Sequence, residues 1–443
     1  MKQSRKAFAL LVLLAFCAAP LLGQPQVSEK KEVAIFSLGY YGWDIPLETL
    51  ATVDIEIQKV FLDLGRFTIS GMTQRFSSSS VDEFIAALRK AKEVDFVMPE
   101  KYIFGEAFLT EAEFNRLLGA FIVAIPVITS FDSQWVDSKK EWQTELKTTV
   151  TFIDVSTGTT IGIADVESSG SSRETQFKSI QGAIDGIPMS LQYEIRLIPA
   201  FQLSTRVLAA SGSEIKLQMG ADMGIKKGYE FAIVSGGMIG GFRDEREVGL
   251  VVVKDVGPEV STAQVLYSSI KPDADTQLRE VPRLGADLAV FLHPMSELLS
   301  GTTGLTLGLR VPVTLGFFGT KPWVSAQIYF LDMGGFNAPL SAMAGIEWSK
   351  YLGRLQIDTR VGAGAGSNLL TKLLEEALST SDDDWITHYG VTAGITANWL
   401  VTRDIKVFAE AQFDFMLGIF DALGGGFSSY GGPSVGVGVT FKP

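Results

Sequence analysis

Residues Asp404 to Leu417 read DIKVFAEAQFDFML. Ile405, Val407, Ala409, Ala411, Phe413 and Phe415 fall on one parity, and Lys406, Glu410, Gln412 and Asp414 on the other. Successive side chains on a strand point to opposite faces, so the segment predicts a strand with one apolar and one charged face. The pattern recurs through the last third of the chain. It predicts eight strands: Asp287 to His293, Leu305 to Leu315, Val324 to Leu331, Ala342 to Ser349, Leu355 to Ala363, Tyr389 to Val401, Ile405 to Leu417 and Val435 to Phe441. Three connections are brief (Gly316 to Trp323, Lys350 to Arg354, Thr402 to Asp404), and the other four are longer and rich in Gly, Ser, Asp or Asn. Short turns at one end, longer loops at the other and an even strand number are the signature of an up-and-down barrel crossing a membrane.

The two faces carry the same message. Leu305, Leu307, Leu309, Val311, Val313 and Leu315 share a face, as do Tyr389, Val391, Ala393, Ile395, Ala397 and Trp399. Trp348, Trp399 and Phe441 fall near the short-turn end, where an aromatic girdle at the lipid interface is expected. The opposite face holds Arg310, Glu347, Asp358, Arg360, Lys406, Glu410 and Asp414. An eight-stranded barrel is only wide enough to be filled by side chains, so this mixed-sign set predicts a plug of paired charges and no open pore. The alternative is a soluble antiparallel barrel or sandwich, which would scatter charge on a solvated face and needs no uniformly apolar outer surface. The final strand ends Thr440-Phe441-Lys442-Pro443, so two residues follow its aromatic.

Upstream the periodicity changes. Glu32 to Leu38 is a short apolar strand; Asp44-Ile45-Pro46 starts a helix whose apolar positions are Leu50, Val53, Ile57, Val60, Phe61 and Leu64, and Gly65 ends it. Arg66 to Ile69 is the next strand, and Ser80-Val81-Asp82-Glu83 is a capping box opening a helix with Val81, Phe84, Ile85 and Leu88 on its apolar face. A strand over Phe121 to Thr129 precedes a hairpin, Glu145 to Ile153 and Thr159 to Val166, turned at Ser156-Thr157-Gly158. One helix with Phe177, Ile180, Ile184, Ile187 and Leu191 closes this α/β unit. Short strands then follow at Glu214 to Met219, Tyr229 to Val234, Glu247 to Val256 and Ser261 to Tyr267.

The segments "GRFTISGM", "LLGAFIVAIPVI" and "VTFIDVSTGTTI", with the turn Asp154-Val155-Ser156-Thr157-Gly158, resemble the CsgG-like periplasmic domain of the curli secretion channel and its relatives. The resemblance covers about Glu32 to Ile198, implies that domain's fold and carries no catalytic residues. "GADMGIKKGYEFAIV" resembles the C-terminal module of flagellar assembly protein T, which implies a small SH3-like barrel. The strands from Asp287 onward resemble an outer-membrane barrel of the OmpA-like kind. The division expected is therefore a signal peptide over 1–23, an α/β domain over 30–198, an SH3-like all-β module over 199–283 and an eight-stranded antiparallel transmembrane β-barrel over 286–443.

Composition narrows the chemistry. Lys2, Arg5 and Lys6 precede an apolar run from Ala7 to Leu22, the form of a secretory signal. Cys17, the one cysteine, lies inside that run, and as a lipoprotein acylation site it is preceded by the bulky Phe16. Removal of the signal leaves no disulfide, thiolate metal site or cysteine nucleophile. The formal net charge is −12 and no basic stripe appears, which speaks against nucleic acid as a partner. His293 and His388 read as barrel-lining or interface residues, and Gly362-Ala363-Gly364-Ala365-Gly366-Ser367, followed by a helix-like Asn368 to Leu378, lacks the βαβ setting or Gly-Lys-Ser/Thr of a nucleotide loop. Asp382-Asp383-Asp384 lacks the spaced ligands of a calcium loop, and Gly236-Gly237 with Gly240-Gly241 reads as a hairpin tip. The expectation is a non-enzymatic outer-membrane protein without cofactor. Its soluble modules would lie in the periplasm as a scaffold or docking site for an envelope protein, with homo-oligomerisation left open. A subunit of an oligomeric curli-type secretion channel is the alternative.

Overall fold

The computed structural model describes residues 27–40, 45, 47–76, 80–91, 101–104, 107–118, 121–239, 242–299, 301–331, 338–367, 388–418 and 429–443. A five-stranded sheet forms first, in the order β2-β1-β5-β6-β7. β1 (Lys31–Ser37) runs parallel to β2 (Phe67–Arg75) and β5 (Ile122–Val136), and β6 (Glu141–Asp154) and β7 (Thr159–Ser172) continue it antiparallel. Val33 to Phe36 are all buried because helices cover both faces of this inner strand. α1 (Leu47–Leu64) packs on one face through the six apolar positions its spacing predicts, and α2 (Ser80–Lys90) and α3 (Glu111–Leu118) pack on the other. A small hairpin, β3 (Lys101–Phe104) with β4 (Ala107–Thr110), precedes α3. The Asp154 carboxylate accepts the Thr157 N–H at 3.0 Å, and Gly158 takes φ +62°, so the turn closes as its residues require.

The single closing helix is in fact two. α4 (Gln176–Asp185) is capped by the Thr175 side chain, which accepts the Lys178 N–H, and α5 (Ile187–Leu197) restarts after Gly186 with Pro188 in its first turn. Proline has no N–H to continue an existing ladder but suits the start of a new one. Ile180, Ile184, Ile187 and Leu191 are buried as expected, whereas Phe177 is 58% exposed and lies off the core face.

The middle unit is a closed six-stranded barrel in the order β10-β11-β12-β9-β8-β13. Its strands are β8 (Ser204–Ser211), β9 (Glu214–Leu217), β10 (Glu230–Ile239), β11 (Phe242–Val256), β12 (Ser261–Ser268) and β13 (Gln277–Val281). Periodicity missed β8 and β13, which carry weak alternation yet close the ring. Gly236 and Gly237, expected at a hairpin tip, lie within β10 opposite Glu245 and Asp244, and 240–241 fall outside the described residues.

The last unit is a closed antiparallel barrel of eight strands: β14 (Leu288–Ser296), β15 (Thr303–Pro312), β16 (Thr320–Phe330), β17 (Leu340–Leu352), β18 (Leu355–Ser367), β19 (His388–Leu400), β20 (Ile405–Gly418) and β22 (Pro433–Phe441). A short piece, β21 (Ser429–Tyr430), lies on β20. β22 closes the ring on β14, from Leu288↔Phe441 to Met295↔Ser434. Several boundaries differ from the pattern, and β14, β17 and β18 run on to Ser296, Leu352 and Ser367, three or four residues further than expected. β15 stops at Pro312, and Leu315 leaves the barrel face to pack against the six-stranded core. β16 begins at Thr320, so the connection before it is shorter than expected. Gly362 to Gly366 lie inside β18, while Asn368 to Leu378 and Asp382 to Asp384 fall outside the described residues.

The three units touch one another closely. Ser28 N–H donates to the Ser204 carbonyl at 2.8 Å, carrying the lead-in to β1 across to β8. Gly65 (φ +68°), ending α1, lies against Gly224 (φ +75°) of the six-stranded barrel; a Cβ on Gly224 would sit 1.9 Å from the Leu64 carbonyl oxygen. Both positions demand a left-handed backbone and bare Cα atoms. Gly224→Ala should therefore destabilise the junction of these two units by about 2 kcal/mol, read as a lower thermal midpoint, whereas Gly212→Ala (φ +62°, nothing within 4 Å of its Cβ) carries only the backbone strain and should cost less.

Candidate functional site

The lumen of the eight-stranded barrel gathers all seven charged residues singled out by parity. Arg310, Glu347, Asp358, Arg360, Lys406, Glu410 and Asp414 are each 8% exposed or less. They point inward because the strand parity that puts Val407 and Phe413 outside puts Lys406, Glu410 and Asp414 inside. Glu410 is the hub. It accepts a fork from Arg310 at 3.2 and 2.7 Å, a contact from Arg360, and the Thr396 hydroxyl at 2.8 Å. Bidentate guanidinium–carboxylate pairing of this kind is strong and fixes both planes. Arg310 is also flanked by the rings of Phe291 and Phe408, at 5.3 and 5.6 Å. Gly308 and Gly438 make room for those rings, since a Cβ on either would meet one at 2.2 Å.

From Glu410 the network runs both ways. Arg360 donates to Gln412 at 2.8 Å; the Gln412 amide donates to Asp414 at 2.7 Å, and Asp414 also accepts the Tyr329 hydroxyl at 3.1 Å. Towards the short turns, Asp358 accepts from Gln356 at 2.8 Å and Asn398 at 2.7 Å, and Lys406 donates to Asp287 at 3.2 Å. Lys321, Glu347 and Arg360 are register neighbours across β16, β17 and β18. Asp287, Lys321, Gln327, Tyr329 and Thr396 were missed by sequence reasoning. Lys321 would have shown by parity had β16 been started at Thr320, and Gln327 and Tyr329 share its inward parity within the expected strand.

His293 is fully buried beside Glu410, at 3.5 Å, and stacks on Phe291; His388 lies against Tyr430. Among the described residues no three His, Cys, Asp or Glu side chains are placed to hold a metal. Trp348, Trp399 and Phe441 stand on the outer surface at the short-turn end, 44%, 50% and 45% exposed.

A second set of buried charges, unsuspected from the sequence, joins the units. Glu280 on β13 accepts Arg66 at 2.7 and 3.2 Å, Arg196 at 2.7 Å and the Leu203 N–H at 3.0 Å. Arg66 and Arg196 belong to the α/β domain. Burial pushes the Glu280 carboxyl up, but the two guanidiniums outweigh it and hold it at about 2. Glu230 on β10 accepts Lys442, which follows β22, at 2.5 Å and Arg283, in the link before β14, at 2.9 Å. Burial again opposes the charged form, and Lys442 and Arg283 prevail, holding Glu230 at about 2. No periodic signal marks these residues. Around them Leu400, Phe318 and Tyr351 of the large barrel pack on Leu250, Val252 and Leu266 of the small one, and Arg354 lies 3.9 Å from the Tyr267 ring centre.

No protein-family model matches the chain, and neither does any curated protein. Among solved structures, Neisserial surface protein A is similar at 11% identity over 36% of this chain and 96% of that one, with a TM-score of 0.26. A de novo designed transmembrane β-barrel is similar at 12% identity over 36% and 96%, TM-score 0.22. The PelC dodecamer of Paraburkholderia phytofirmans is similar at 14% identity over 38% and 94%, TM-score 0.23.

Glu410→Gln leaves Arg310 and Arg360 sharing a neutral acceptor and should cost the barrel about 3 kcal/mol, read as a lower temperature of unfolding in detergent. The Glu280 and Glu230 carboxyls lie below their ordinary value of 4.5, so their stabilisation is present above pH 4.5 and is lost as pH falls through about 2. Small-angle scattering on the folded chain should show the units separating in that acid window, with Glu280→Gln separating them already at neutral pH.

Proposed function

We propose that this chain is an outer-membrane protein in which the eight-stranded barrel is a filled anchor and the two soluble units form a periplasmic scaffold that docks an envelope partner. One observation carries the reading: an unbroken belt of exposed apolar side chains circles the barrel. Leu292, Leu307, Val324, Ile346, Val361, Ile395, Val407 and Val437 contribute one from each strand, in order round the ring, and each is more than 40% exposed. A protein in water rarely exposes a contiguous apolar surface of that extent. Along β19 the outward set runs from Tyr389 to Trp399, which at about 3.3 Å per residue and a tilt near 40° spans about 25 Å, the height of an outer-membrane apolar band. Closure also suits lipid, because every strand edge is satisfied within the ring. Trp348, Trp399 and Phe441 would then form the interfacial girdle on the short-turn side.

The periplasmic side follows from the turns. Short turns of such barrels face the periplasm, and the soluble units pack against that end here. The α/β domain, with its CsgG-like motifs, is the natural docking unit. A subunit lending strands to a shared secretion pore is disfavoured, because β22 pairs with both β20 and β14 and leaves no edge to share. The buried charge network supports a lumen that conducts no ions.

The protein should fractionate with outer membranes and run as a compact band in detergent gels until boiled. Recovery of the barrel region in detergent-free solution would overturn the anchor. Planar-bilayer recordings should stay silent; discrete current steps would overturn the filled lumen in favour of a channel.

A further inference from the structure

Arg283 lies in the link between β13 and β14. Its guanidinium donates to Glu230 at 2.9 Å, to the Asp404 carboxylate at 2.7 Å, and to the backbone carbonyls of Arg403 at 2.6 Å and Lys442 at 2.7 Å. Arg403 and Asp404 lie just before β20, and Lys442 lies just after β22. These acceptors become neighbours only when β20 and β22 pair, Ile405 opposite Phe441, and β22 lies on β14, Leu288 opposite Phe441. The two residues after Phe441 complete the arrangement. Lys442 N–H donates to the Asp404 carbonyl at 2.9 Å, its ammonium donates to Glu230, and the Pro443 carbonyl accepts the Leu284 N–H at 2.9 Å. Three of the four acceptors of Arg283 thus belong to the closing seam of the large barrel, and the fourth belongs to the small barrel.

We propose that Arg283, Lys442 and Pro443 form an assembly strap: insertion of the last strand builds the seat for the six-stranded barrel, so the soluble units are fixed only on a completed barrel. Before closure Glu230 and Arg283 lie in water and lose little by staying apart. After closure the seam presents Asp404 and two carbonyls already aimed, and a single docking event completes the four hydrogen bonds of Arg283 and the Lys442–Glu230 pair together. Such a preorganised acceptor set makes seating conditional on closure. A strand stopping at Phe441 would lack the ammonium that reaches Glu230.

The test uses the full chain folded in detergent, with Cys17 replaced by serine and spin labels at Lys271→Cys on the small barrel and Lys350→Cys at the large barrel's base. Lys442→Ala should retain the compact unboiled gel band yet broaden the label distance distribution. Tryptic cleavage after Arg283 should quicken by about 100-fold, the shift that losing one partner of a buried pair produces. Val437→Pro, which disrupts β22 pairing while leaving the strap residues intact, should unseat the small barrel likewise. An unchanged narrow distribution in Lys442→Ala would overturn the strap. So would a narrow distribution in Val437→Pro, since seating would then precede closure. Loss of the compact band in Lys442→Ala would also overturn it, by placing Lys442 in closure itself.

Discussion

Every buried charge in this molecule has to meet an opposite charge or a set of dipoles, and that requirement organises it from end to end. An isolated buried ion costs several kcal/mol, more than most single contacts supply. Three carboxylates carry the arrangement: Glu410 in the lumen, Glu230 at the junction of the barrels and Glu280 at the junction with the α/β domain. Each is gripped by two cations from separate segments. Residues far apart in sequence, such as Arg66 and Glu280, are thereby held together. Specificity of docking follows, because a slipped arrangement would leave a guanidinium unpaired in a dry place.

The same logic separates the interior of the large barrel from its exterior. Strand parity places Lys406, Phe408, Glu410, Gln412 and Asp414 inside and Val407, Ala409, Ala411 and Phe413 outside. A shift of one residue would reverse both sets, so the register is strongly specified on either side. The interior is also matched in volume: Gly308 and Gly438 yield space to Phe291 and Phe408, and those rings flank Arg310. Charge pairing and packing act there as one constraint.

How much of this was legible depended on the range over which the signal acts. β20 could be read directly, since its alternation is local and complete. β14 to β19 and β22 followed by the same rule, with errors where the chain turns: Leu315 continues the apolar alternation but packs on the neighbouring unit. β8 and β13 were illegible because a strand in a small barrel needs only a few inward residues, and QLREV offers polar ones on both sides. The break at Gly186 was obscured by apolar positions that keep helical spacing across it. Glu230, Glu280 and Arg283 could not be recognised at all, because their partners lie dozens to hundreds of residues away and no spacing rule connects them. The seven lumen charges were readable as a set, whereas their pairing was not: parity gives a side, and only the closed ring gives a neighbour.

The back-to-back contact of Gly65 with Gly224 has a consequence for recognition. Two bare Cα positions bring the end of a long helix flush against a turn of the adjoining barrel, so at this point the units meet backbone to backbone. A platform joined in this way holds its outward surfaces at one fixed bearing to each other. Any molecule that lands on it finds a surface whose orientational entropy was already surrendered during folding, and the binding free energy is not diminished by having to immobilise the platform.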